Sequence, residues 1–517
     1  MPSPKDNLGA SARRGILFIS AAKLWFLVAG LAMQLLLPRA LGSAALFGVW
    51  TLVLSWVSAV NNVMITATIQ GVSFFASAGE AAVEQAKRTA LRMQVLVGGG
   101  TALLFYLAAP WLAAFERDAA LIPELRLAAG VVLCYSFYAV FVGAANGARH
   151  FHKQAGLDIS FSTLRVLLVV GAAWIWHSTL AAVGGFVAAA GLILGVSAAV
   201  VGLPRDLGGA PIQLRQMLRM SAWLGVYLLA SNILLFLDGW WLKRLLTEQM
   251  AGWPDAKQRV DTLIGIYGAA QTVARLPYQL CLAGTFVVFP LMSAAALTAP
   301  AEQIRRYIAA TLRYALLAAA ALAAVLLGRP EAVMRLLYPP EYAQGGPALL
   351  LLLLAYLGLS LFAIAGAILN GIGRIRLSSA LGLTTVLGTT AAVYLLVRTA
   401  LPAGLLSLER AALGMLLGLV AGLLATLACV YWIFRATLSP WTLLRVALAS
   451  AGAVILARLW PAPGTGGLAG SKPGTLLCMA LCGLVYLAVL ALSGELSLQE
   501  LRRLRRPPHA PPQGPAG

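Results

Sequence analysis

The chain has 517 residues, of which 60% are apolar and only 11% charged, and its mean hydropathy is +0.85. A soluble protein of this length coats itself with about 25% charged residues, so a soluble globular enzyme, a disordered chain and a nucleic-acid-binding domain are excluded. The net charge of +20, from 38 Lys and Arg against 18 Asp and Glu, is the excess that the inner loops of a multi-span membrane protein carry. Five cysteines (Cys134, Cys281, Cys429, Cys478, Cys482) lie in apolar stretches with no His at metal-ligand spacing, and read as small buried side chains.

A helix needs about 20 apolar residues to cross about 30 Å of hydrocarbon. Such stretches are predicted at 15–37, 43–66, 91–113, 127–145, 157–176, 180–202, 219–242, 261–292, 308–328, 346–368, 377–398, 410–434, 441–460 and 474–492, about fourteen in all. The fold class is therefore an all-α polytopic membrane protein. The first stretch is too long for a secretory leader and no small-residue cleavage site follows it. An even number of spans returns both termini to one side. With that side cytoplasmic, the inner segments hold the basic clusters: Lys5, Arg13 and Arg14, the groups around Arg88, Arg215 and Arg306, and Arg502 to Arg506. The outer segments hold fewer bases, largely offset by acids. The stretch 461–474 reads as a loop, and the Pro/Gly-rich end as a disordered cytoplasmic tail.

The segment LFGVW at 46–50 recurs as LIGIY at 263–267, and Asn146-Gly147-Ala148-Arg149 recurs as Asn370-Gly371-Ile372-Gly373-Arg374. In both halves the second pattern ends a helix, with a glycine after the Asn that tolerates φ > 0. Two matches in the same order at nearly the same offset predict a duplicated six-helix unit. Six helices return the chain to its starting side, so the units are parallel repeats about an axis along the membrane normal. The predicted organisation is one lobe at 1–206, a second at 207–436, two extra helices at 437–494 and the tail at 495–517.

Ionisable groups inside spans cost about 2.5–3.5 kcal/mol each on insertion scales and usually face a wet interior. At about 100° per residue, Ser20, Lys23 and Gln34 share a face of the first helix, and Asp158, Ser162 and Arg165 a face of the fifth. Tyr227, Ser231 and Asp238 line up on the seventh, and Tyr267, Gln271, Arg275 and Tyr278 on the eighth; the second adds Asn61, Asn62 and Gln70. If the first two helices of each repeat face the other repeat, these stripes line one cavity. Lys23 and Arg275 make it cationic and suited to a phosphate or pyrophosphate. Blander readings compete. Lys23 can snorkel to headgroups. Asp238 can end its span and pair with Lys243 or Arg244, beside Trp240 and Trp241 as interfacial belt residues. Arg165 can serve Asp158, although seven residues span about 10 Å of helix. Pro277 should bend the eighth helix just after Arg275. Asp238 and Asp158 are the candidates for ion coupling.

No Walker A pattern, metal cluster or catalytic constellation stands out, so neither a cofactor nor an enzyme activity is expected. The runs LGSAALFGVWTLVLSWVSAV, NGARHFHKQAGLDISFSTLRVLLVV, FLDGWW, LIGIYGAAQTVARLPYQL and FVVFPLMS, and the terminal SGELSLQELRRLRR, resemble the polysaccharide exporters of the multidrug/oligosaccharidyl-lipid/polysaccharide (MOP) superfamily, which include flippases for lipid-linked oligosaccharides. That resemblance implies two six-helix lobes in a V plus two peripheral helices in the bacterial inner membrane. It implies an undecaprenyl-pyrophosphate-linked oligosaccharide as substrate, moved between leaflets by alternating access. Membrane lipids, a polysaccharide polymerase and glycosyltransferases are the partners it suggests, and no nucleic acid. Lys23 and Arg275 stand on the helices that carry cationic cavity residues in such proteins. A peptidoglycan-precursor flippase, a cation or drug antiporter and a non-transporting scaffold of an envelope-polymer complex are the competing readings.

Overall fold

The computed structural model describes residues 4–77, 79–206, 212, 214–282, 284–285, 288, 292, 300–400, 403–461 and 470–496, with only the backbone for most of the first 20 and for 218–224. The predicted tail beyond residue 496 and the side chain of Ser20 lie outside the described residues. The described chain is helical throughout, with no strand: α1 (Pro4–Leu41), α2 (Ala44–Ala76), α3 (Glu80–Phe115), α4 (Ile122–Gly147), α5 (Phe151–Trp176), α6 (Thr179–Val201), α7 (Leu214–Ile233), α8 (Leu237–Gln249), α9 (Ala256–Ala274), α10 (Ala301–Leu327), α11 (Pro330–Leu337), α12 (Gly346–Gly371), α13 (Ile375–Arg398), α14 (Leu405–Phe434), α15 (Pro440–Leu459) and α16 (Lys472–Leu492). The Leu- and Ala-rich runs leave hydrocarbon as the solvent, and there the backbone must bond within its own segment. Proline sits in the first turns of α4, α11, α12, α15 and α16, where its missing N–H costs nothing.

Among the described residues, twelve helices are long and apolar enough to cross a membrane, and the pair α7–α8, bent by 44°, makes a thirteenth. The remaining expected span, 261–292, is α9 followed by a break at Arg275 and a helical stretch at 276–282; much of its end lies outside the described residues. The predicted span 219–242 is also divided, at residues 234–236.

One helix set is α1 to α6: α1 packs on α5, α2 and α3 on α4, and α4 and α5 on α6. In the other, α12 packs on α9, α10 and α14, α13 on α7, α8 and α14, and α8 on α9. The two last helices pair with each other and lean on α10. α12 is the most enclosed, 78% of its most apolar window being buried, against 22% for α3, α5 and α16, which face lipid. Glu495, just past α16, locks this appendage down. It is 2% exposed and accepts from Arg313 of α10 at 2.7 Å and from Thr442 and Arg445 of α15, each at 2.8 Å. Glu495 itself is thus held against α10 and α15.

The two Asn-Gly segments end their helices with the same backbone geometry. At the end of α4 the His150 N–H reaches Ala145 O at 2.8 Å and the Arg149 N–H reaches Asn146 O at 3.0 Å. At the end of α12 the Arg374 N–H reaches Leu369 O at 2.9 Å and the Gly373 N–H reaches Asn370 O at 3.1 Å. These are matched six-to-one helix terminations, each needing one left-handed residue. That residue is Arg149 (φ 58°) in one repeat and Gly373 (φ 82°) in the other, not the glycine after the Asn. Gly147 serves packing instead, since a Cβ there would lie 2.7 Å from Ser73 O of α2.

The other matched pair, Gly48 and Gly265, meets face to face where α2 crosses α9. A Cβ on Gly48 would strike Asp261 O and lie 2.9 Å from Gly265 N. One on Gly265 would strike Ala44 O and lie 3.1 Å from Gly48 N. Each glycine thus abuts the residue four positions before its counterpart, as a two-fold relation requires. One turn on, Gly268 lies against Thr51, a Cβ there falling 2.8 Å from its methyl. The two helix sets therefore touch backbone to backbone near the Ser43 end of α2.

Two predictions follow from this packing. Gly48→Leu or Gly265→Leu should lower the thermal midpoint of the purified protein, overpacking of this kind costing about 1–3 kcal/mol. Gly100→Leu, at a site with open space around it, should leave the midpoint unchanged. Burial tends to raise the Glu495 carboxyl pKa, but the bonds from Arg445, Thr442 and Arg313 outweigh it and hold the group below the usual value. Its contribution is present above the unfolded pKa and is lost as pH falls through the lower folded one. Protease accessibility of the chain end should rise on acidification in native protein, and be high and pH-independent in Glu495→Gln.

Candidate polar joint between the helix sets

The seventh span breaks inside an apolar run. After α7 the Leu235 and Phe236 N–H groups bond back to Asn232 O at 3.1 Å and Ile233 O at 3.0 Å, a tight turn that leaves the Leu235 carbonyl without a helical partner. Arg275 supplies one. Its Nη2 donates to Leu235 O and, at 3.2 Å, to Gln271 Oε1, while its Nε donates to Tyr356 Oη at 3.0 Å. Tyr356 Oη in turn donates to Leu235 O at 3.2 Å. The guanidinium lies over Phe236 and Tyr356, 4.7 and 5.6 Å from the ring centroids. Arg275 is also where α9 stops, two residues before Pro277, as the sequence predicts.

The restart at α8 places Asp238, 0% exposed, in a first helical turn, which favours a carboxylate. It accepts from Tyr267 Oη at 2.7 Å and from Gln271 Nε2 at 2.8 and 2.9 Å. The stripe Tyr267, Gln271, Arg275 is thus assembled around a helix break. Tyr278, predicted on the same stripe, is buried beyond it. Asp238 does not end a span or pair with Lys243 or Arg244, and Trp240 is no belt residue: it is buried and stacks on Trp56 of α2, centroids 3.9 Å apart and planes at 6°.

A second cluster forms within the first helix set. Lys23 Nζ pairs with Asp158 Oδ2 at 2.8 Å, bridging α1 and α5, with the lysine side chain 49% exposed and the aspartate 9%. Asp158 therefore serves Lys23 and not Arg165. Arg165 is packed among rings, its Cζ 5.2 Å from Phe26, 5.4 Å from Phe161 and 6.0 Å from Phe186, and its buried Nε has no hydrogen-bond partner. Lys23 and Arg275 thus belong to separate clusters, one in each set. Asn62 reaches across, donating to Asn232 Oδ1 at 2.9 Å, while Asn61 is buried with its carbonyl oxygen unpartnered.

Toward the Ser43 end the joint is polar in a way the spans did not reveal. Trp240 Nε1 donates to Ser55 Oγ at 2.7 Å, and Trp56 Nε1 to Glu116 Oε1 at 3.0 Å. Lys243 of α8, 1% exposed, binds Asp118 of the α3–α4 connection at 3.2 Å and also Asp261 of α9; Lys257 joins Asp118 at 2.8 Å. Their charges read in sequence as loop topology, because the partners come from remote segments. Among the described residues no group of three or more His, Cys, Asp or Glu is placed to hold a metal.

A family model for polysaccharide biosynthesis proteins matches residues 12–296, and the chain belongs to that family. No curated protein sequence matches it. The fold is similar to that of a lipid II flippase, MurJ, in an inward closed conformation: TM-score 0.71 and 13% identity, covering 95% of this chain and 100% of that one. It is also similar to a multidrug resistance MATE family transporter of the MOP superfamily in an outward-facing conformation (TM-score 0.58, 14% identity, 84% and 96% covered). A MOP superfamily transporter from Pyrococcus furiosus, described as having a binding pocket of reverse polarity, matches at TM-score 0.53 with 15% identity, 84% and 95% covered. The chain is thus a multi-pass membrane protein with the fold of these transporters.

Lysine cannot reproduce the planar fork that holds Leu235 O, Gln271 and Tyr356 together. Arg275→Lys should therefore destabilise the protein by about 1.5–3 kcal/mol, the worth of hydrogen bonds to a charged group, and Tyr356→Phe by less; thermal melts of the detergent-purified variants read both.

Proposed function

We propose that this chain is a flippase for an undecaprenyl-pyrophosphate-linked oligosaccharide, moving it from the inner to the outer leaflet of the bacterial cytoplasmic membrane by alternating access. A sugar headgroup cannot enter hydrocarbon, because its hydroxyls would lose their hydrogen bonds to water. It needs a path lined by polar side chains, while the polyprenyl tail stays in lipid. In this reading the units 1–206 and 207–436 rock as lobes, the Ser43 end of α2 faces outward, and both termini are cytoplasmic.

The observation that carries the reading is the joint between α2 and α7–α9. It is sealed by two matched glycines, a Trp stack and buried ion pairs, and polar side chains continue along it to Asn62, Asn232, Gln271 and Arg275. Contacts that are polar or shape-matched can part and reform, as a gate requires. Lys23 and Arg275 are the cations assigned to the pyrophosphate, with Arg165, Asn61, Asn62, Tyr267, Gln271 and Tyr278 around the path. Lys23 is half exposed and can leave Asp158 for a stronger anion. Asp238 and Asp158 are the carboxylates available to a coupling ion. A lipid II flippase is the second reading, favoured by the similarity to MurJ, and differs only in the headgroup carried.

Purified protein in vesicles should move undecaprenyl-pyrophosphate oligosaccharide to the protected leaflet faster than empty vesicles do. Lys23→Gln, which leaves the helix break untouched, should cut that rate at least tenfold without loss of folded protein. Faster movement of lipid II than of the oligosaccharide selects the second reading, and no movement of either overturns the first and second alike.

A further inference from the structure

Glu116 takes no part in the path above, yet it is 0% exposed at the Ser43 end, immediately after α3. One carboxyl oxygen accepts from Trp56 Nε1 at 3.0 Å; the other is buried with no partner. A buried carboxylate with an empty oxygen is costly, whereas a neutral acid there loses little. The nearby cations are already committed. Lys243 of α8 is held by Asp118 and Asp261, Lys257 of α9 by Asp118, and Arg244 of α8 donates to Phe115 O at 2.8 Å. On its own segment, Arg117 pairs with Glu248 of α8 at 3.4 Å, and Asp118 and the nearby Glu124 of α4 add only negative charge.

We infer that Glu116 is a proton-binding site that holds this end of the joint shut, the proton being bound when the two helix sets meet and released when they part. Its cover is the joint itself. Trp56, which holds the carboxyl, is stacked on Trp240 of the opposite set, and Trp240 is pinned to Ser55. Parting the sets exposes the stack and lets water reach the acid. Burial pushes the Glu116 carboxyl from the usual 4.5 up to about 8, against the opposing pull of Trp56, Lys243 and Arg244. The raised value belongs to the closed state, so closure takes up a proton between these two limits. The closed form is favoured at low pH and loses ground by about tenfold per pH unit as pH rises toward 8.

The inference rests on alternating access, and the test separates the two. Spin labels at Ala119→Cys and Gln258→Cys, on exposed positions of opposite sets, report their separation in nanodiscs between pH 5 and 9, with and without undecaprenyl pyrophosphate. The native distance should lengthen as pH rises between about 5 and 8, and Glu116→Gln should keep it short throughout. Infrared difference spectra of native protein should show a protonated-carboxyl carbonyl band at pH 6 that Glu116→Gln lacks. Absence of that band, or the same pH response in Glu116→Gln, overturns the proton site and leaves transport standing. A distance that no condition changes overturns the alternating-access reading and this inference with it.

Discussion

Two helices can meet backbone to backbone only where neither presents a side chain, and Gly48 and Gly265 put that condition at one crossing. Because each glycine abuts the residue four before the other, the contact is symmetric about a local two-fold axis between α2 and α9. It fixes the register of α2 against α9, and with it everything further along. Trp56 can then stack on Trp240, Asn62 can reach Asn232, and the α3–α4 connection comes within range of Lys243 and Lys257. A larger residue at either glycine would displace all of these together, since interiors are packed too densely to absorb it locally.

The architecture was legible because its causes are local. Span length follows from bilayer thickness, and the recurring LFGVW and Asn-Gly patterns follow from a shared close crossing at Gly48 and Gly265 and from matched helix terminations. What was illegible is nonlocal. The break at 234–236 lies in Leu-Leu-Phe, with neither Gly nor Pro to mark it. What permits it is Arg275 and Tyr356, supplied from 40 and 121 residues away. Lys23 finds Asp158 across 135 residues, so no helical-face argument could pair them. Nothing in the sequence sets Glu116, Asp118, Lys243 and Asp261 apart, because their burial depends on remote segments folding onto one another. The Trp-rich end of the seventh span was taken for a membrane belt because Trp240 and Trp241 look alike in sequence, while only the fold shows that Trp240 faces α2.

The electrostatics are correspondingly different from a bare cationic chamber. Lys23 has a carboxylate at contact distance, and Arg275 is bonded to a carbonyl, a phenol and an amide that itself holds Asp238. These bases are not free charges awaiting an anion. On the proposed reading, a pyrophosphate would have to replace the partners that hold them, at the cost of the exchange. For Lys23 that cost is moderated by its exposure, since half-exposed pairs gain little from water-screened attraction. For Arg275 it is larger, because releasing the guanidinium also orphans the Leu235 carbonyl.

Buried ion pairs rarely add net stability over apolar packing of the same shape, because desolvation consumes most of the attraction. A joint designed only to stay closed would therefore be apolar. Here the seal beyond Gly48 and Gly265 is made of Lys243 between two aspartates, Lys257, and an acid with one vacant oxygen. Each of these groups regains hydration when the surfaces separate, so the open state is not penalised as an exposed apolar face would be in water. The same feature makes the closed state depend on how many protons and counter-charges the pocket holds. On the proposed reading, a helix crossing that sets register, next to a seal whose strength varies with protonation, would let a rigid fold keep two arrangements close in energy.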